Sequence, residues 1–203
     1  MPRFSLVRLL VLVVFATACA ASTEPRGPQL RPSLIRVADC DGPARSLDPA
    51  IAATLPSRSG LMRPDDQWAD LALRVPGGFA GVMYVDNKPV LMLTDPSQAA
   101  AAKHALAPEF VGFDINGAEV RKVRWDFAQL VDWYSYLMVQ TPLWRTSTLT
   151  SGDKDEAINR IRYGVIDEAA RERLLEALAG MDLPCDLIAV EIVKPAVLLP
   201  GNP

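Results

Sequence analysis

Val90-Leu91-Met92-Leu93-Thr94-Asp95-Pro96-Ser97-Gln98 reads as a strand that runs directly into a helix. A short unbroken apolar run suits a strand buried on both faces. Asp95 can accept from the unpaired N–H groups of a first helical turn, Pro96 suits its first position, and Gln98 falls at capping-box spacing. The Ala-rich stretch to Leu106 then carries the helix. About 72 residues further on, Val165-Ile166-Asp167 again ends a strand on a cap. A second Ala-rich helix follows to Ala179, with Gly180 suited to its C′ position.

Working outward, Phe79–Val85 and Val90–Thr94 are β-rich, and Asp86-Asn87-Lys88 between them is turn chemistry, so they predict a hairpin. Asp65–Leu73 predicts a short helix with its acidic residues at the positive end. Val120–Trp125 predicts a third strand. Asp126 and Gln129 then repeat the capping-box spacing and open a helix from Phe127 to Val139. Thr146–Thr150 reads as a strand followed by a turn at Ser151-Gly152-Asp153. Ile161, Tyr163 and Val165 alternate with Arg160 and Arg162, the pattern of a strand with one wet face. Leu187–Val193 is the last strand. The expected architecture is an α+β domain over residues 64–195, with helices packed on a mainly antiparallel sheet and two ββαβ-type pseudo-repeats joined by the Phe127 helix.

The first nineteen residues predict export. Arg3 and Arg8 precede the apolar run Leu9–Phe15, and small residues follow, which is the layout of a secretory signal. That run is shorter than the ~20 residues a bilayer requires. Ala16-Thr17-Ala18-Cys19 resembles the lipobox of bacterial lipoproteins, which implies acylation of Cys19 and anchoring in a lipid bilayer; Ala16 departs from the usual leucine. Ala18-Cys19-Ala20 also fits a plain signal-peptidase site, which leaves simple secretion as the competing expectation. Residues 20–63, rich in proline at first, read as a tether and an irregular segment, and residues 196–203 as a tail. With Cys19 acylated or removed, Cys40 and Cys185 remain as a pair suited to a disulfide in an oxidising compartment.

The net charge of −3 and the lack of a basic run interleaved with aromatics argue against nucleic-acid binding. A single histidine, His104, makes a zinc site improbable, and no cofactor is expected. Asp153-Lys154-Asp155-Glu156 does not fit a calcium loop, because Ala157 and Ile158 stand where a ligand and a glycine belong; it reads as a solvated hairpin turn. No G-x-S-x-G elbow occurs, and Gly77-Gly78-Phe79-Ala80-Gly81 precedes a strand rather than a helix, unlike a phosphate cradle. His104 sits in the Ala-rich helix, and Lys88, Lys103, Lys122, Lys154 and Lys194 are expected in water, so no catalytic base is assigned. Trp133, Tyr136 and Trp144, around the joining helix, are the candidates for partner binding wherever they are exposed.

Gly78–Val82, Val90–Pro96 and Asp155–Ile161 resemble modules in the pro-regions of α-lytic-protease-type serine proteases, and also segments of uncharacterised exported bacterial proteins that lack a protease domain. The resemblance covers roughly residues 65–193 and implies small αβ modules whose sheet docks on a protease. With no protease domain expected after Pro203, the expected role is in trans. The sequence therefore predicts a membrane-anchored envelope protein with a non-catalytic binding role and an unidentified protein partner. A trans-acting protease inhibitor or folding partner is the first alternative, and an enzyme of unfamiliar type using carboxylates is the second.

Overall fold

The computed structural model describes residues 33–34, 44–55, 64–140 and 149–193. The signal segment, Cys19, Cys40, Trp144 and Lys194 lie outside them. The chain has an α+β fold with two sheets. In order, its elements are β1 (Ser33–Leu34), α1 (Pro49–Ala52), α2 (Pro64–Arg74), β2 (Phe79–Val85), β3 (Lys88–Leu93) and α3 (Ala99–Leu106). Then come β4 (Glu119–Lys122), α4 (Phe127–Met138), β5 (Leu149–Asp155), β6 (Arg160–Val165), α5 (Glu168–Ala179) and β7 (Ile188–Ile192). One sheet has the order β2-β3-β4 and the other β1-β7-β6-β5.

Both sheets are assembled in the same sequence of steps. An antiparallel hairpin is followed by a helix and then by a strand parallel to the hairpin's second strand. Each hairpin carries one irregularity near the start of its first strand, between Phe79 and Gly81 and between Leu149 and Ser151. Beyond the last strand of each sheet one further backbone bond closes the ladder: Val123 N–H donates to the Leu93 carbonyl at 3.0 Å, and Val193 N–H to that of Val165 at 2.8 Å. Leu91 and Leu93 of β3, and Ile161, Tyr163 and Val165 of β6, are fully buried. Parallel pairing with a helix crossover demands such burial.

The caps follow the sequence in part. Asp126 and Gln129 form both bonds of a capping box at the start of α4. Asp167 accepts from Ala170 N–H at 2.7 Å and caps α5. Asp95, by contrast, caps a 3-10 turn at Pro96–Gln98, accepting from Ser97 N–H and Oγ, and Gln98 makes no cap bond to α3. Gly180 keeps a right-handed φ of −77°, so the left-handed C′ conformation expected there is absent. The first hairpin turns on Asp86 and Asn87 alone, with φ of 50° and 61°. These angles suit a type I′ turn and leave Lys88 in the strand.

The second hairpin departs further from expectation. Ser151, Gly152 and Asp153 are strand residues of β5, and the reversal comes at 156–159. Gly152 faces Tyr163 across the pair, and a Cβ there would lie 2.9 Å from the tyrosine ring. The glycine makes room for an aromatic lid, and the reading of it as a turn residue fails.

Helix α4 joins the two units by feeding both cores. Phe127, Ala128 and Val131 pack with α2, α3 and β3, where Trp68 meets Phe79, Phe110 and Phe127 at edge-on angles. Leu130, Trp133 and Leu137 pack with β6, α5 and β7. Part of the expected tether and irregular segment is also built into this second core. Leu47 is buried in it, Arg45 grips the Asp182 carboxylate with both guanidinium nitrogens at 2.8 and 3.1 Å, and β1 pairs with β7.

Candidate functional site

Several side-chain contacts tie the two sheets together, and one of them centres on Asn159. Asn159 ends the second hairpin turn with a left-handed φ of 54°, which asparagine tolerates better than most residues. Its Oδ1 accepts from the backbone N–H of Arg124 at 3.0 Å and of Trp125 at 2.8 Å. Its Nδ2 donates to the Trp125 carbonyl at 2.8 Å. The residue is buried, so each bond replaces water that cannot reach these groups.

The same turn docks against the first sheet. Gly81, at φ +135°, sits in tight surroundings: a Cβ would lie 3.2 Å from Glu156, Met92 and Trp68. Glu156 is half-buried there, and its pKa is raised, chiefly by burial and further by the charges of Asp153, Asp155 and Asp65. A carboxyl that binds its proton more tightly folded than unfolded contributes stability below its ordinary pKa. That contribution is lost as pH rises through the folded value. Glu156→Gln should therefore melt higher than the parent at pH 7, by on the order of a degree or two. The gain should shrink to nothing below about pH 4.5. An equal gain at pH 7 and pH 4, read by calorimetry, would contradict this account.

Lys154 corrects the expectation of a solvated lysine in a turn. It lies in β5 with its side chain buried, its Nζ 2.9 Å from the Asp65 carboxylate and 4.1 Å from the Tyr134 ring centroid. It fixes the start of α2 to the second unit, a structural use of a buried charge that is paired. Lys103 is likewise tied down, donating to the carbonyls of Asn116 and Ala118. Lys88 and Lys122 are exposed as expected. Around Lys154, a hollow of about 220 Å³ is lined by Val131, Tyr134, Ser135, Met138 and Val139 with Asp65 and Asp66. Next to it, Tyr134 donates to the Gly152 carbonyl at 3.1 Å, and burial raises the pKa of Tyr163.

Two openings adjoin the segment that Asn159 holds. A cleft of about 320 Å³ runs between the edge strand β4 and the start of β6, lined by Arg121, Lys122, Arg124, Arg160 and Asp186 over a floor that includes Trp125. A neighbouring groove of about 700 Å³ shares Lys122, Val123 and Arg124, and adds Thr94, Asp126 and Gln129. Both lie beside the carboxyl ends of the parallel strands β3 and β4, a position that open α/β layers use for ligands.

Of the residues singled out from sequence, Trp133 is 4% exposed, with its indole N–H donating to the Arg45 carbonyl at 2.9 Å and the Arg45 guanidinium over its ring. It is a core residue and has no face left for a partner. Tyr136 packs edge-on against Trp133 and is half-buried. His104 is exposed in the last turn of α3. Cys185 is buried and disulfide-bonded. Exposed apolar side chains include Leu73, Val111, Tyr84, and Met138 and Val139 at the end of α4, and the Tyr84 ring meets that of Phe113 at a tilted angle with centroids 4.9 Å apart. The Tyr84–Phe113 contact was not legible in the sequence because the 107–118 loop shows no periodicity.

Among the described residues, no group of three His, Cys, Asp or Glu side chains is placed to hold a metal ion, and no helix is long and apolar enough to cross a membrane. No protein-family model matches the chain, and no curated protein matches it in sequence.

Proposed function

We propose that this is an exported protein, anchored in the bacterial envelope through an acylated Cys19, which binds a partner and transforms none. The disulfide at Cys185, in a chain that opens with the layout of a signal peptide, carries the export half of the reading, because disulfides persist in oxidising compartments. The exposed Tyr84 ring, resting against Phe113, supports the binding half, since exposed apolar surface marks interaction sites. We also take the two hairpin–helix–strand units to be copies of one module. Their shared connectivity and matching hairpin irregularities support this. Superposition of 90–106 on 162–178 tests it, and a rotation that misaligns the helices relative to their sheets would refute it.

The protease-partner reading draws support from β2 and β5, each of which ends its sheet, because a peptide strand can add to such an edge. Co-purification with a protease from the native envelope separates it from the general binding reading. Mass spectrometry of the native N-terminus tests the anchor. Acylated Cys19 is expected, and an unmodified terminus at Ala20 or Ala21 would overturn it.

A further inference from the structure

We propose that β2 is a self-pairing edge, through which two copies of the chain join their three-stranded sheets antiparallel to one another with Met83 on the two-fold axis. The sheets end on β1, β5, β2 and β4. Of these, β1 is two residues long. Charge guards β4, through Glu119, Arg121 and Lys122, and β5, through Asp153, Lys154 and Asp155. Short length and charged side chains are what keep a sheet edge from pairing. The edge of β5 is also closed in its backbone: the Gly152 carbonyl accepts from the Tyr134 hydroxyl at 3.1 Å, and the Lys154 N–H donates to the Asp153 carboxylate at 2.8 Å. By contrast β2 runs for seven residues, Phe79–Val85, and none of them is charged or proline.

The open groups of β2 follow from its hairpin. Beside the two-residue turn, Val85 with Lys88 and Met83 with Val90 are the hydrogen-bonded pairs, so the N–H and C=O of Val82 and Tyr84 point away from β3. Pro89, opposite Tyr84, has no N–H to offer, in keeping with that alternation. Among the described residues these four backbone groups have no partner. The Tyr84 side chain beside them is 58% exposed. A second copy meets this edge with the same groups in reverse order. Val82 of each copy then faces Tyr84 of the other, four backbone bonds form, and a β-branched side chain lies against each ring, a favourable cross-strand pair. On the opposite face Met83 meets its own copy and joins the Ala80, Val90 and Met92 clusters of the two molecules. Each chain carries a net charge of −3, which opposes association in general, but the uncharged edge sets no like charges across the axis. The ladder is short, so the dimer is weak and concentration-dependent. A second copy is thereby named as the partner of the Tyr84 surface, which rests on the reading of that surface as a binding site.

Sedimentation velocity of the purified full-length chain, in detergent so that any lipid anchor is shielded, should show a dimer that grows with concentration. Tyr84→Lys sets a charge on the edge at an exposed position and is expected to weaken the dimer roughly tenfold or more. Leu73→Lys, a like change on α2 at a residue 71% exposed, should leave it unchanged. Met83→Cys should give a disulfide-linked dimer under oxidising conditions that the parent does not give, because residues facing each other across the axis occupy a close, non-hydrogen-bonded position. Thermal melts establish that each variant is folded, and should Tyr84→Lys not fold, the Met83→Cys cross-link decides. A dimer that survives Tyr84→Lys, equal weakening by Leu73→Lys, or no cross-link through Met83→Cys overturns the proposal. A monomer at every concentration also overturns it, and leaves the Tyr84 surface to a strand from a different protein.

Discussion

Asn159→Ala should lose about 3–5 kcal/mol of folding stability, a large share of what a domain of this size possesses. The loss has two separable parts. Removing the amide leaves two backbone N–H groups and one carbonyl, at Arg124 and Trp125, without their bonds in a place shielded from water. Each such group costs on the order of 1 kcal/mol or more. Alanine at a φ of 54° adds about 1–2 kcal/mol of backbone strain. Asn159→Gly relieves the strain and keeps the hydrogen-bond loss, so the gap between the two variants in urea unfolding measures the conformational part. Asn159→Asp retains an acceptor for both N–H groups but sets a carboxylate oxygen against the Trp125 carbonyl, and should fall between the parent and alanine. An alanine variant within about 1 kcal/mol of the parent would mean that packing through α4 holds the units together and that the amide is incidental.

What the sequence discloses and what it hides divide along a physical line. Local rules carried the elements: the Asp126–Gln129 capping box, the Asp167 cap, the alternation of Ile161, Tyr163 and Val165, and the Asp86-Asn87 turn all depend on residues within a few positions of each other. The α+β class follows from their order. Long-range geometry was not legible. Gly152 carries the chemistry of a turn, and its purpose becomes plain once Tyr163 is seen lying over it. Lys154 has polar neighbours in sequence and an aromatic ring and a carboxylate in space. The cleft between β4 and the start of β6 is the clearest case. Arg121 and Arg124 on one segment and Arg160 on another form no charge run, and converge because Asn159 ties their backbones together. Trp133, a partner-binding candidate only if exposed, is covered by the 44–47 segment, which was expected to be irregular.

Cys185→Ser should have the largest effect of any single change outside the core hydrophobes. Cys185 is buried between Leu183 and Leu187 at the entry to β7, and it is disulfide-bonded. With Cys40 as its partner, the bond closes a loop of most of the chain, and the chain-entropy argument gives about 4–5 kcal/mol for a loop that long. A fall in melting temperature of roughly 10 °C or more follows, and reductant should produce the same fall in the parent protein. The pairing of β1 with β7, at Ser33 with Val190 and Leu34 with Ala189, supports this assignment, because it already brings the early segment to the strand that Cys185 precedes. The three cysteines make the test exclusive. If Cys40→Ser matches Cys185→Ser and Cys19→Ser leaves the melting temperature alone, the bond is between Cys40 and Cys185, and Cys19 is left for the lipid. If Cys19→Ser is the variant that matches, Cys19 is the partner instead. A sulfur in a disulfide cannot carry an acyl chain, so that single result would remove the membrane anchor along with the Cys40 pairing.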